Sequence, residues 1–314
     1  MDPLNLTQLL GRTWVLEGEE LIGLYRLDGG RCILLDSGQR HERQALAAAL
    51  EQAGLTPVGV LSSHIHIDHS INNRWLQDTY GCRVAAPAGE VHLCRGVNAL
   101  RQYQSCYSPG TVAREYGDMA CPVDCPVPEQ ADAFSFCGVD FSILHTPGHS
   151  LDHISVLTPD GVCYTGDGVF CGPGLRSKLP YALDLNGMLD STRRLEQVRC
   201  GAYLVPHRGT GPGTALADAA RATRALMLER AEGIRALVTR PMTWGELMQA
   251  VSTHFALRSS DPILAVRIER NCRLFTHFLL DLGALALTAR DGLGYLAPGP
   301  RSQSLAQLYE EGLP

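Results

Sequence analysis

The sequence predicts an α/β protein: two sheets with helices outside them, followed by a smaller, mainly helical unit. Three features predict it. Short apolar and β-branched runs alternate with Ala- and Leu-rich segments through the first third of the chain. The same mixture returns between residues 134 and 205. After Pro212 the strand runs give way to long helical periods.

The elements follow in order. Arg12 to Glu17, Leu21 to Leu27 and Cys32 to Asp36 read as three short strands, separated by turn residues such as Asp28-Gly29-Gly30. His41 to Ala53 is rich in Ala, Leu, Gln and Glu and reads as a helix. Val58-Gly59-Val60-Leu61 is an uninterrupted apolar run, the mark of a buried strand. Ile71 to Tyr80 reads as a helix and Arg83 to Ala86 as a strand. Residues 89–133 hold Cys, Tyr, Pro and Arg in helical pieces with no clear strand. Such a segment is expected to be an insertion, either a lid over a site or a packed helical decoration. Phe134 to Cys137, Asp140 to His145, His153 to Leu157 and Val162 to Thr165 resume the strands, with hairpin turns at Cys137-Gly138-Val139 and Pro159-Asp160-Gly161. Gly187 to Arg199 reads as a helix and Ala202 to Val205 as a strand.

Beyond this, Ala215 to Val238 reads as a long helix. Thr243 and Glu246 have capping-box spacing at the start of a second. Pro262 to Asp281 is a third helix, and Leu285 to Leu296 a hairpin turning at Asp291-Gly292. Three helices and a hairpin resemble a winged-helix module. Two domains are expected, residues 1–212 and residues 213–314, because 314 residues exceed what one compact core usually takes.

Composition narrows the function classes. Hydrophobic content of 45% and charged content of 19% fit an ordinary globular protein. A net charge of −6 gives no general attraction to nucleic acid or anionic membrane. No apolar stretch is long enough to span a bilayer, and Met1-Asp2-Pro3-Leu4-Asn5 does not read as a secretory signal. The eleven cysteines lack regular spacing, which suits reduced thiols in a cytoplasm. Cys121 and Cys125 lack the paired spacing of structural zinc modules.

The most informative motif is His64-Ile-His66-Ile-Asp68-His69, directly after the buried strand. Residues two apart in extended chain share a face, so His64 and His66 can grip one metal. Asp68 and His69, where the chain turns, can serve a second. Three further strand ends supply candidates: His149 in Thr146-Pro-Gly-His-Ser, Asp167 in Tyr164-Thr-Gly-Asp-Gly, and His207 in Pro206-His-Arg-Gly. His145 and His153 flank His149 and compete with it. The Pro-Gly turn favours His149 as the presented side chain.

In that order, these motifs resemble the metallo-β-lactamase superfamily over about residues 12–212. The resemblance implies an αββα sandwich with two metals at one edge of the sheets. It implies His64, His66 and His149 on one metal, Asp68, His69 and His207 on the other, and Asp167 between them. Asp36 matches an early structural aspartate rather than a ligand. Two divalent ions are expected, zinc by default because imidazole dominates, with iron or manganese as alternatives.

Two metals about 3.5–4 Å apart can share a water and lower its pKa toward neutrality, giving a bridging hydroxide as nucleophile. Asp68 and Asp167 are then the catalytic carboxylates. The expected activity is hydrolysis of an ester, thioester or related acyl compound, with glyoxalase II-like hydrolases among the nearest resemblances. A small-molecule substrate is favoured, since the chain shows no basic and aromatic stripe for nucleic acid. The alternative is a phosphodiesterase or endoribonuclease. Residues 213–314 carry 11 Arg against 10 Asp plus Glu, too nearly neutral to favour it. An iron-dependent redox enzyme is disfavoured because His66 stands where two-iron relatives have Glu. A non-catalytic regulator is disfavoured by the full ligand set. Arg176, Lys178 (the one lysine in the chain), Tyr181 and Arg208 are candidates for binding substrate. The helical tail is expected to dimerise the protein or cover its site.

Overall fold

The computed structural model describes residues 2–207 and 209–311. It contains two mixed sheets face to face. The first takes β1 (Asn5–Leu10), β2 (Thr13–Glu17), β3 (Leu21–Arg26), β4 (Arg31–Leu35), β5 (Thr56–Leu61), β6 (Arg83–Pro87) and β7 (Cys125–Val127), in that spatial order. The second takes β8 (Ala133–Phe136), β9 (Val139–His145), β10 (Ile154–Leu157), β11 (Val162–Tyr164), β12 (Ala202–Val205) and β13 (Gly209–Pro212), again side by side in chain order.

Hairpins join β1 to β4 antiparallel, whereas β4 to β5, β5 to β6 and β11 to β12 are parallel. Parallel neighbours need a crossover, and a helix supplies each one. These helices are α1 (Arg43–Gln52), α2 (Ile67–Ser70) with α3 (Asn73–Tyr80), and, in the second sheet, α6 (Leu185–Glu196). Between β6 and β7 the chain runs through a 3-10 helix at Ala88–Arg95, α4 (Val97–Tyr103) and α5 (Pro109–Tyr116).

The core lies between the sheets. Ile33, Leu35 and Leu61 of the first meet Phe141, Ile143, Val156, Tyr164 and Leu204 of the second. On the outer face of the first sheet, Leu34 and Val60 pack under Leu46 and Leu50 of α1 and Leu76 of α3. On the outer face of the second, Cys163 and Val205 pack under Leu195 of α6. Strands β4 and β5 are thus buried on both sides, which is why they read as continuous apolar runs.

After β13 come α7 (Leu216–Leu237), α8 (Trp244–His254), α9 (Pro262–Asp281), the hairpin β14 (Leu285–Arg290) and β15 (Leu293–Pro298), and α10 (Leu305–Glu311). The capping box is formed: Thr243 Oγ1 accepts from Glu246 N, and Glu246 Oε2 accepts from Thr243 N at 2.7 Å. Asp261 caps α9 and Pro262 opens it. Asp291 and Gly292 both take positive φ, 52° and 77°, as a tight hairpin turn requires. One apolar cluster joins Leu185, Met188 and Leu189 of α6 to Met227, Ile234, Phe275 and Leu279 of these later helices.

Strands β1, β7 and β13 and helices α2 and α10 escape the sequence reading. Strand β1 is mostly exposed and polar, so it shows no buried face. Strand β7 has three residues, one of them Pro126. Strand β13 is Gly-Thr-Gly-Pro and carries no apolar signal. Helix α10 is one short amphipathic stretch at the end of the chain. The helix expected from Ile71 to Tyr80 is α3, which begins at Asn73, and the one-turn α2 precedes it at Ile67–Ser70. The expected insertion at 89–133 contains β7, which completes the first sheet.

Candidate metal centre

Each element that carries a candidate ligand ends at the same edge of the two sheets. Strand β5 stops at Leu61, and His64 and His66 follow in the loop leading to α2. The strand periodicity expected of this pair does not apply, because both residues lie beyond the last paired residue. Their rings converge all the same, with His64 Nε2 and His66 Nδ1 2.9 Å apart. His149 brings its Nε2 to 3.0 Å from the same His66 nitrogen. The turn presenting it needs Gly148, whose φ is 124° and where a Cβ would lie 2.0 Å from Met188 N.

A second group forms beside the first. Asp68 Oδ2 lies 3.9 Å from His69 Nε2 and 3.5 Å from His207 Nε2. Asp167 stands between the groups. Its Oδ2 is 3.1 Å from His149 Nε2 and 3.0 Å from His207 Nε2, and its Oδ1 is 3.5 Å from His69 Nε2. Gly166, at φ 50°, carries the chain past His153 and Ser63 where any Cβ would collide. All seven side chains singled out in the sequence therefore meet at one place. They do so as His64, His66 and His149, and as Asp68, His69 and His207, each set with donor atoms within 4.8 Å of one another.

Outer partners fix which nitrogen faces inward for His64, His66, His69 and His207, while His149 Nδ1 is buried without one among the described residues. Asp36 Oδ2 accepts from His69 Nδ1 at 2.7 Å, from Ser63 Oγ at 2.7 Å and from the Tyr164 hydroxyl at 2.7 Å, while its Oδ1 accepts from Ser63 N at 2.6 Å. With four donors on it, Asp36 braces the site from below. It is geometrically near a third group with His64 and His69, but its lone pairs are engaged. Glu20 Oε2 lies 3.1 Å from His207 Nδ1. His64 Nδ1 meets Ser63 Oγ at 2.9 Å, and His66 Nε2 meets the Tyr103 hydroxyl at 2.7 Å. The competing histidines are occupied elsewhere. His153 binds Thr146 Oγ1 through Nδ1 at 2.8 Å and the Asp167 backbone N–H through Nε2 at 2.9 Å. His145 Nε2 faces the Ala131 carbonyl at 3.2 Å.

The electrostatics suit cations. Burial, reinforced by neighbouring histidines, holds His64 and His66 well below the usual imidazole range; burial also lowers His149, against the pull of Asp167. These three are neutral near pH 7, the ligand form. Asp167 is held well below the usual carboxylate range: burial opposes this, but His207, His69 and His149 outweigh it. The same charges act in reverse on the acidic side. Asp167 first, against burial, raises His207 to about 11. Against a large burial penalty, Asp167, Asp68 and Asp36 raise His69 well above its ordinary value. Three carboxylates in a buried pocket thus call for compensating positive charge. His69 Nε2 and Asp167 Oδ1 are buried without a hydrogen-bond partner among the described residues. Asp167 Oδ1 is an orphaned buried acceptor, and His69 Nε2 becomes one in the neutral tautomer that donates from Nδ1 to Asp36; divalent cations satisfy such acceptors, so the residues fit the group.

Two adjoining cavities open onto this edge. One, about 180 Å³, is lined by His66, Asp68, His149, Tyr181 and, from α9, Arg270. The other, about 480 Å³, is lined by Glu20, His149, Phe170, Pro180, Tyr181 and His207. Tyr181 borders both, with its ring 5.4 Å from that of His66 and 5.3 Å from that of His149. The expectation for Lys178 and Arg176 is corrected. Both line neither cavity, and the Lys178 ammonium instead donates to the Ala256 carbonyl at 2.8 Å. Arg208 lies outside the described residues. Sequence reasoning missed Glu20, Tyr103, Gln104 and Arg270, which are single polar residues with no motif around them. Arg270 stacks over Tyr181 at 4.5 Å and donates from Nη1 to Gln104 Oε1 at 2.8 Å; its Nε is buried and unpartnered among the described residues.

Comparisons with known proteins agree with this geometry. The family profile described as "Metallo-beta-lactamase superfamily" matches residues 17–207. A hydroxyacylglutathione hydrolase of Chelativorans sp. (strain BNC1) is 28% identical over 238 residues, covering 71% of this chain and 77% of the relative. Another, of Mesorhizobium japonicum, is 25% identical over 232 residues, covering 71% and 77%. Among solved structures, a beta-lactamase domain protein from Burkholderia ambifaria superposes with a TM-score of 0.71 at 19% identity, covering 94% of both chains. A metallo-beta-lactamase family protein from Thermus thermophilus gives 0.66 at 20% identity, covering 94% of this chain and 98% of that one. Likeness at that identity speaks to the fold alone.

Proposed function

This chain belongs to the metallo-beta-lactamase superfamily, whose profile matches most of its length, and on that premise we propose that it is a dinuclear hydrolase of a small acyl substrate, a thioester or ester bearing an anionic group. One observation carries the reading: two three-residue groups, joined by Asp167, border cavities that also contain Tyr181 and Arg270. His64, His66 and His149 would hold one divalent cation, Asp68, His69 and His207 the other, and Asp167 both. Zinc is favoured by the imidazole majority. When bound, such a pair supplies a water-derived nucleophile at neutral pH and polarises the acyl oxygen.

The protein's own residues do the rest. Asp68, half-buried, is placed to take a proton from water entering the smaller cavity. Tyr181, whose pKa is raised chiefly by burial, stays protonated and can donate to an acyl oxygen. Arg270 presents positive charge in the same cavity and supports a carboxylate- or phosphate-bearing substrate. The likeness to hydroxyacylglutathione hydrolases, at 28% and 25% identity, supports a thioester over other acyl groups.

The later helices fit the role of a wall for the site better than that of a nucleic-acid reader. We read α7 to α9 with the β14–β15 hairpin as winged-helix-like and residues 213–314 as the second domain. A cytoplasmic setting suits eleven free cysteines. Among the described residues no helix is long and apolar enough to cross a membrane.

Elemental analysis of the purified protein, with a panel of thioesters, esters and phosphodiesters, tests the reading. Two divalent cations per chain and turnover of anionic thioesters are expected. Phosphodiester cleavage without acyl hydrolysis would overturn the acyl assignment, and absence of bound metal would overturn the whole proposal.

A further inference from the structure

Glu90 is a carboxylate only 1% exposed, and nothing in the expected chemistry uses it. Burying a charged carboxylate is costly unless its oxygens are filled with donors. Here they are filled, and the donors come from two particular places. Oε2 accepts from Ile65 N at 2.6 Å, and Ile65 lies between His64 and His66. Oε1 accepts from Ser150 Oγ at 2.5 Å and from Asp152 N at 2.9 Å, both just after His149. The tie is reciprocal, since Asp152 Oδ2 accepts from Gly89 N at 2.8 Å. One side chain therefore pins both loops that carry the three-histidine group.

The same stretch of chain supplies a second contact. Tyr103, at the end of α4, places its hydroxyl 2.7 Å from His66 Nε2. With His66 donating there, Nδ1 is left as the lone pair facing His64 and His149. Residues 88–103 are themselves anchored: Leu93, Cys94 and Leu100 are buried in one cluster with Ile65, Ile71 and Val84. The other group is braced differently. Asp36, after β4, holds His69, and Glu20, before β3, holds His207. The side-chain hydrogen bonds of Glu90 and Tyr103 go to the loops of the three-histidine group and to Tyr181, at 3.4 Å from the Tyr103 hydroxyl.

We propose that residues 88–103 form a dedicated frame for the His64, His66 and His149 position, with Glu90 and Tyr103 as positioning residues. Their removal weakens cation binding there and spares the position at Asp68, His69 and His207. This rests on the reading that both groups hold divalent cations. Neither residue touches substrate or reacting atoms through these contacts, so the effect falls on affinity and geometry at one position.

The test is cobalt titration of the metal-stripped full-length protein, followed by visible absorption, for the wild type, E90Q and Y103F. H66A marks which class of binding belongs to the three-histidine group. E90Q turns an amide N–H₂ toward donors that need an acceptor, and Y103F removes one hydroxyl with little change in shape. Each is expected to weaken the class lost in H66A by about 10–100-fold, the range for removal of an outer partner of a ligating histidine. The other class should shift less than about threefold, with near-ultraviolet circular dichroism unchanged. Should E90Q fail to fold, Y103F alone decides. Two classes with wild-type affinities in the variants, or both weakened equally, would overturn the inference while leaving the metal reading intact. A wild type that binds no cobalt would overturn both.

Discussion

Replacing Arg270 with Met separates recognition from chemistry. The guanidinium comes from α9, far in sequence from every candidate ligand, yet it borders the same small cavity as Asp68 and His149. It is held in place by Gln104 Oε1 at 2.8 Å and by the Tyr181 ring 4.5 Å below it. Its Nε is buried and without a partner among the described residues, so contact with a substrate anion falls to the part of the guanidinium that borders the cavity. Methionine keeps much of the stem's packing and removes the charge. A hydrogen bond to a charged group contributes about 1.5–3 kcal/mol, or roughly 10–150-fold in kcat/KM. Loss of the stacking on Tyr181 adds about 0.5–1 kcal/mol, and it applies to every substrate that needs that ring in place. The assay compares an anionic thioester with its neutral amide isostere. R270M should raise KM for the anionic compound by about one to two orders of magnitude and change the neutral compound's kcat/KM by less than about fivefold. Equal losses on both substrates would refute the reasoning, as would an unchanged KM for the anionic one.

Asp167→Asn should weaken both cation positions together by more than about 100-fold, beyond the effect of any outer partner, as read by equilibrium dialysis with zinc. Chelation should lower thermal stability. At a metal concentration about 1,000 times Kd the linked stabilisation is about 4 kcal/mol, so calorimetry of stripped against reloaded protein should show a midpoint drop of about 10 °C. Thr243→Ala removes a formed cap and should cost about 1 kcal/mol in urea unfolding without changing metal content. Glu246 is lowered to about 2, first by the Thr243 backbone N–H and then by Arg240. A depressed carboxylate stabilises the fold above its unfolded value near about 4.3, and that contribution is lost as pH falls through about 2. The unfolding midpoints of wild type and E246Q should therefore differ at about pH 6 and converge toward about pH 2.

The ligand set was legible because its chemistry is local. Four side chains within six residues, right after an apolar strand, announce themselves, and the Pro-Gly turn at His149 does so almost as clearly. The two sheets were legible for a similar reason, since β4, β5, β10 and β12 are mostly buried and apolar along their length. What stayed hidden acts at long range. Glu90 and Tyr103 sit in a segment with no periodic signal, and only the folded chain shows that they face histidines from other loops. Arg270 reads as one more polar position on an amphipathic helix. Lys178 misled because being the one lysine is a fact about composition, whereas reaching a site is a fact about direction. Its side chain turns toward Ala256 instead.

The apolar cluster that runs from α6 into α7 and α9 limits how the chain can be divided. Cutting after Pro212 would leave Leu185, Met188 and Leu189 facing water on the helix directly behind the His149 turn, and it would take Arg270 away as well. An excised amino-terminal fragment would therefore be a sticky species prone to self-association, stripped of one wall of its pocket. Chimaeras that exchange the tail for another protein's would have to carry a matching partner for α6 with them.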